Sequence, residues 1–221
     1  MTGRNAPKRL GRPPAIDSAE TRQKILDAAR RSFARRGYDA TTNKDVAEEV
    51  GITTGAIYHY FASKADLYVA VHEEVQTMIY DVFEKAIAPY ATFAERIAAA
   101  LDAAVEINQR DWSIAGFVVT VPDERARHAV LNERLAQFRP RRRAFFGRLV
   151  EDAVEQGEIV PDIDPVAVTD ALTAVTTGLA RFSTLASTER HRQAADALKR
   201  MFDGTLLVLS PPAERRATAV P

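Results

Sequence analysis

Tyr58, His59, Tyr60 and Lys64 set two phenols, an imidazole and an ammonium close together with no acid among them. Each can donate a hydrogen bond to a phosphate oxygen. Just ahead of them, Thr54, Gly55 and Ala56 are small enough for the backbone to approach base edges in a groove. Their chemistry is recognition of a nucleic-acid duplex. Catalysis has no comparable set. The four histidines, His59, His72, His128 and His191, form no i, i+4 pair, and the chain has no Gly-rich phosphate loop, nucleophile elbow or paired-carboxylate motif. His72-Glu73 with a distant histidine could bind a metal only in three dimensions, and a lone His on a charged helix is usually a surface residue. The chain is therefore expected to be no enzyme, with no cofactor and no metal.

Two short helices must position these residues. Thr42 stands where an N-cap would, with Asp45 three positions on, so hydroxyl and carboxylate can each satisfy a free backbone N–H. Val46, Ala47 and Val50 give that helix an apolar side, and Gly51 can take the left-handed conformation that ends it. Ile52 is expected under the turn. Thr53 or Thr54 caps a second helix, Gly55 to Phe61, with Ile57 and Phe61 facing inward at i, i+4. The pattern is that of a helix-turn-helix. An ordinary helical hairpin with tyrosines in a core would look similar, so the flanks matter.

Ahead of the pair, Asp17-Ser18-Ala19-Glu20 opens a helix whose apolar face is Ile25, Leu26, Ala29 and Phe33, closed by Arg35-Arg36-Gly37. Residues 1–15 hold Arg4, Lys8, Arg9 and Arg12 with no acid, three prolines and two glycines. They are expected to form a loose cationic arm. In it Arg9 and Arg12 either enter a minor groove or belong to a plain solubilising terminus.

Helix one ending in Arg36-Gly37-Tyr38-Asp39-Ala40-Thr41-Thr42, then Asp45-Val46-Ala47, Gly51-Ile52, Gly55-Ala56-Ile57-Tyr58-His59-Tyr60-Phe61 and Ser63-Lys64-Ala65-Asp66-Leu67, resembles the N-terminal domain of the TetR family of one-component transcriptional regulators. The resemblance covers about residues 17 to 70. It implies that the first helix of the pair touches phosphates and the second reads the major groove. On this chain Thr42 begins the first helix, Thr54 to Ala56 lie nearest the bases with Thr53 a further DNA-contact candidate, and Tyr58, His59, Tyr60 and Lys64 grip the backbone. Two positions depart from the common pattern. Asn43 stands where many members carry an aliphatic residue, and Thr54 where Lys, Arg, Pro or Gln is frequent. A side-chain amide facing DNA could pair with an adenine edge, worth ~1–3 kcal/mol of discrimination. A phosphate contact or a solvated residue is the plainer alternative for Asn43.

Net charge is zero, yet it is unevenly placed. Residues 1–64 carry 12 Lys plus Arg against 7 Asp plus Glu, and the remainder carries 18 against 23. A basic N-terminal third can release counterions from phosphate while the acidic remainder stays off the duplex. The 221 residues leave room for a second function in a core of roughly 150 residues. With no cysteine there is no disulfide, Cys-ligated zinc or thiol sensor. No apolar run reaches ~18 residues, so the chain is expected to be soluble and cytoplasmic, with no membrane partner.

The rest reads as helix after helix. A long one starts at Ser63 with Leu67, Val71, Val75, Met78, Val82 and Ile87 and stops before Pro89. Another runs from Phe93 through Ile97, Leu101, Ala104 and Val105. The piece Trp112 to Val121 is expected to stop at Pro122, and a stretch from about Asp123 to Gln156 to be kinked or divided at Pro140. Residues 157–165 read as a turn-rich link. In the last two helices Val168, Leu172, Val175, Leu179 and Phe182 follow helical spacing, with Ala171, Ala174 and Gly178 small enough for close approach. Leu198, Met201, Phe202, Leu206 and Leu209 do the same in the final helix. The resemblance implies that these helices pair across a two-fold axis, so Val168, Leu172, Val175, Gly178, Leu179, Leu198 and Phe202 are candidate dimer contacts. It also implies a ligand cavity, for which Trp112, Phe117 and Phe182 are the candidates.

The expected fold is all-α, about nine helices, divided as a basic arm 1–15, a three-helix helix-turn-helix domain 16–62, a helical ligand-binding and dimerisation domain 63–209, and a disordered tail 210–221. The expected function is a ligand-responsive regulator, a repressor binding a pseudo-palindromic double-stranded DNA operator as a homodimer and released by a small apolar or amphipathic effector. An architectural DNA-binding protein without effector, or a helical small-molecule carrier, are the other classes open to it.

Overall fold

The computed structural model describes residues 15–206, with side chains placed for 18–138 and 143–206. The expectations for Arg9 and Arg12, for Leu209 and for the 210–221 tail fall outside these residues.

Among the described residues all regular structure is helical. The order is α1 (Ala15–Ala40), α2 (Asn43–Val50), α3 (Thr54–Tyr60), α4 (Lys64–Ile87), α5 (Phe93–Arg110), α6 (Trp112–Arg127), α7 (Ala129–Leu135), a 3-10 turn (Ala136–Phe138), α8 (Arg139–Glu155), α9 (Pro165–Ser183) and α10 (Thr188–Phe202). Most starts carry a local signal, α7 being an exception without a side-chain cap. Thr92 and Glu95 form a full capping box on α5, Asp164 accepts from the Val166 N–H ahead of α9, and Ser187 caps α10. Ser63 accepts from the Asp66 N–H at 3.1 Å and starts α4.

Four boundaries differ from expectation. α10 ends at Phe202, so Leu206 lies beyond the final helix. α1 begins at Ala15, ahead of Asp17. Pro122 lies inside α6 instead of ending it. A proline there removes one backbone hydrogen bond, but Val121 and Glu124 beside it are both buried, and their packing holds the turn together. The stretch after Asp123 breaks at His128 and again at the 3-10 turn, and Pro140 falls in the first turn of α8, where a missing N–H leaves no acceptor unpaired.

α1 is built into the body of the molecule. Its face of Ile25, Leu26, Ala29 and Phe33 is fully buried, and α6 is its principal neighbour, followed by α4. The rings of Phe33 and Tyr68 meet at 4.9 Å, those of Tyr68 and Phe117 at 5.0 Å, and Tyr38 joins Tyr68 at 5.3 Å. Such pairs contribute about 0.5–1.5 kcal/mol each beyond the area they bury. Buried Arg30 adds a polar staple. Its guanidinium meets Asp111 at 2.7 Å, Ser113 at 3.0 Å and Asp27 at 2.9 Å, with Glu74 at 3.7 Å. Burial opposes the Asp111 charge, but hydrogen bonds from Ser113 and the Arg30 guanidinium outweigh it and hold that carboxyl below the usual range. The helix that carries α2 and α3 therefore cannot turn without disturbing α4 and the α5–α6 junction.

Candidate nucleic-acid interface and effector cavity

The turn between α2 and α3 is fixed by hydrogen bonds the sequence makes locally. Thr42 Oγ1 accepts from the Asp45 N–H at 3.1 Å while Asp45 Oδ2 accepts from the Thr42 N–H at 3.1 Å. That carboxyl is held below its ordinary range by those Thr42 bonds. Gly51 has φ 78°, ψ 31°, and the Ile52 N–H returns to the Ala47 carbonyl at 3.0 Å. Thr53, not Thr54, caps α3, its hydroxyl accepting from the Ala56 N–H at 3.2 Å. Beneath the turn, Val46, Ala47, Ile57 and Phe61 are buried.

What α3 leaves outside is a face without acids. Gly55, Tyr58 and His59 are exposed, Tyr58 by 54%, as are Thr42 and Thr53 at the two helix starts. Thr54, Ala56 and Tyr60 are half-buried, Tyr60 leaning on the core. The acids of α2 are placed differently: Glu49 pairs with Arg31 at 2.8 Å and Glu48 faces Lys44 at 3.8 Å. Lys64 sits at the start of α4 with its ammonium donating to the Tyr38 carbonyl at 2.8 Å and lying 4.3 Å from the Tyr38 ring centre. It buttresses the end of α1, and an ammonium has a third proton to offer outward.

Asn43 is a correction. It is only 7% exposed, and its Oδ1 is buried without a hydrogen-bond partner. At the first position of α2 its side-chain oxygen is turned away from solvent. Its oxygen is not open to a groove.

The three aromatic ligand candidates differ in exposure. Trp112 is 48% exposed and lies under the Arg35 guanidinium at 5.3 Å. Phe117 is fully buried in the aromatic cluster of α1, α4 and α6. Phe182 lies against Arg190 at 5.5 Å. A cavity of about 90 Å³ does exist, deeper between α4, α5, α6, α8 and α9, and its walls include Ile79, Phe83, Ile107, Val118 and Phe146 with Gln76 and Asn108. None of the three predicted residues lines it. The missed signal was a second face of α4: Gln76, Ile79, Tyr80 and Phe83 also repeat at helical spacing, offset from Val71, Val75, Met78 and Val82. A wider groove of about 620 Å³ between α1 and α4 mixes Ala70, Met78 and Val82 with the charged Arg22, Glu73, Glu74, Asp81 and Lys85.

On α9, Leu172 and Leu179 are buried inside the subunit, Val168 and Val175 half-buried, and Gly178 exposed with open space where a Cβ would stand. The outward stripe is Ala167, Ala171, Ala174 and Gly178, ending at Leu185, which is 75% exposed. On α10, Leu198 and Phe202 are half-buried and Met201 is 60% exposed. Core and outward stripes are thus distinct, with Leu172 and Leu179 on the first.

Residues 25–71 match the family model described as "Bacterial regulatory proteins, tetR family", and residues 94–198 match "Tetracyclin repressor-like, C-terminal domain". The HTH-type transcriptional repressor KstR2 of Rhodococcus jostii (strain RHA1) is 31% identical over 164 residues, covering 69% of this chain and 76% of that protein. The solved structure of Salmonella enterica GusR is 27% identical with a TM-score of 0.69, covering 85% of this chain and 95% of that one. FadR from Bacillus subtilis, solved in complex with stearoyl-CoA, shares the fold with a TM-score of 0.70 at 20% identity, over 83% of this chain and 96% of that one.

Proposed function

Because this chain belongs to the TetR family of bacterial regulatory proteins, we propose that it works as a dimeric repressor that two α3 helices seat on a pseudo-palindromic operator and that an apolar or amphipathic effector releases. The family is one of ligand-responsive DNA-binding regulators and not of enzymes. The observation that carries the DNA contact is the acid-free outer face of α3, with Gly55, Tyr58 and His59 exposed over a base of buried Ile57 and Phe61. In this reading Thr53, Thr54, Gly55 and Ala56 approach base edges, while Thr42, Tyr58, His59, Tyr60 and Lys64 hold phosphates. Arg9 and Arg12 are assigned to the adjacent minor groove. The reading head is 16–62 and the body 63–209.

The dimer is assigned to the outward stripe of α9 with Met201 of α10, since small residues let two helices approach closely and exposed Leu185 and Met201 gain most from being covered. Two heads about 34 Å apart would then meet successive major grooves. The effector site is the cavity between α4 and α9. Its present volume is below the ~300–1,000 Å³ typical of small-molecule sites, so an occupant must push its walls apart. α4 forms one of those walls and also carries Lys64 at its first residue, so displacement there reaches the end of α1 directly. An effector that binds better to the displaced arrangement lowers the population fit for DNA. Among the described residues no helix is long and apolar enough to cross a membrane, and a chromosomal target puts the chain in the cytoplasm.

Selection of bound fragments from the source genome, followed by affinity measurement on a selected fragment, tests this reading. A sequence-specific site whose occupancy falls when an apolar effector is added supports it. Binding indifferent to sequence favours an architectural protein, and no DNA binding favours a carrier.

A further inference from the structure

We propose that Asp39, Glu124 and His128 form a binding site for a divalent transition-metal cation of the zinc class, placed where the α1 end meets α6. The ligand atoms of the three lie within 4.8 Å of one another. His128 Nε2 is 3.3 Å from Asp39 Oδ1 and 3.4 Å from Glu124 Oε2. A tetrahedral ion with bonds of ~2.1 Å separates neighbouring donors by about 3.4 Å, so two of the three spacings already fit. The third closes through Asp39, whose side chain is 69% exposed and free to swing inward.

A second observation points to a ligand. Glu124 is 97% buried by its 3% residual exposure, and its Oε2, aimed into the cluster, accepts no hydrogen bond; His128 Nε2 is likewise buried without one. The other oxygen is fully employed as an orienting bond: Oε1 accepts from the Tyr38 N–H at 3.0 Å. That fixes the carboxylate so that Oε2 faces the imidazole, the kind of outer-shell support that metal sites use. The Tyr38 ring, 4.9 Å from that of His128, holds the imidazole from the other side. Imidazole nitrogen with two carboxylates suits zinc and its neighbours better than calcium or magnesium, which prefer oxygen alone. Arg127 is the competing cation, at 3.9 Å from Glu124 Oε2, but its side chain is 61% exposed and can leave.

Asp39 precedes α2, whereas Glu124 and His128 belong to the end of α6. A bound ion would therefore clasp the reading head to the body. The site itself does not depend on the DNA reading, and its test uses no DNA.

Full-length protein is titrated with zinc chloride against a chromophoric chelator, alongside Asp39→Asn and His128→Gln, each checked for an unchanged circular-dichroism melt in the absence of zinc. Support is zinc binding by the wild type that each substitution weakens by at least the ~10–100-fold that loss of an outer-shell partner costs in known sites. In the same samples zinc should slow hydrogen exchange at the backbone amides of residues 37–42 in the wild type and not in either variant. The proposal is overturned if the wild type takes up no zinc, if the variants bind it as tightly, or if those amides exchange at the same rate with and without zinc.

Discussion

At the scale of single residues, the division of labour on the head rests on which side chains look outward. Tyr58→Phe removes a phosphate donor without touching the core, so affinity should fall by a similar factor on every DNA fragment tested, whereas Thr54→Ala should change preference at particular base pairs. Asn43→Ala should leave the preference profile unchanged, because that amide is 7% exposed; a shifted profile in a binding selection would return Asn43 to the interface. Gly37 is the second sensitive residue. Its φ 77° and ψ 179° belong to a region that side chains avoid, and a Cβ there would stand 2.9 Å from Glu124 Oε1. Gly37→Ala should destabilise the fold by about 1–3 kcal/mol in denaturant unfolding. The capping residues were legible in the sequence because Thr42 and Asp45 satisfy each other over three positions. The burial of Asn43 was not, since an amide at a helix start is usually solvated and only tertiary packing closes over this one.

At the scale of elements, α1 joins head to body through Arg30, and α9 joins α10 through His191. Arg30→Ala should cost about 3–5 kcal/mol of stability, the usual result of stranding the partners of a buried charge, here Asp111 and Glu74. His191 is 2% exposed, and burial pushes its pKa below the ordinary value, against a smaller opposing effect of a hydrogen bond with the Leu179 backbone. The folded protein thus keeps it neutral after the unfolded chain has begun to take a proton at about pH 6.5. Its contribution to stability is complete above that pH and erodes as the pH falls through it. Melting temperature should drop on mild acidification in the wild type and drop less in His191→Gln. Helix periodicity exposed the core faces of α1, α4 and α5 well, because one face of each is apolar over several turns. Pro122 misled because a proline's local cost is smaller than the packing of Val121 and Glu124. The cavity was missed because its lining is shared among α4, α5, α6, α8 and α9, so no one helix's pattern outlines it, and Trp112, the most conspicuous aromatic, is 48% exposed.

At the scale of the whole molecule, the account needs two chains. Ala174→Arg places a long cation on the outward stripe of α9 and away from buried Leu172 and Leu179. It should leave the melting curve of the subunit intact, shift sedimentation to the monomer, and abolish high-affinity operator binding. The polarity of charge between residues 1–64 and the remainder was visible in the sequence, and so was the family resemblance. Which stripe of α9 stays outside the subunit's core was not, because both are apolar or small and only packing separates them. The central claim, that α3 is the reading helix of a dimeric regulator, is tested most directly by measuring affinity for a genome-selected fragment and for its scrambled counterpart over a range of salt concentrations. The account predicts that the selected site binds ~10³-fold or more tightly than the scrambled one and that log affinity falls linearly with log salt for both. Equal affinity for the two fragments at every salt concentration would contradict it.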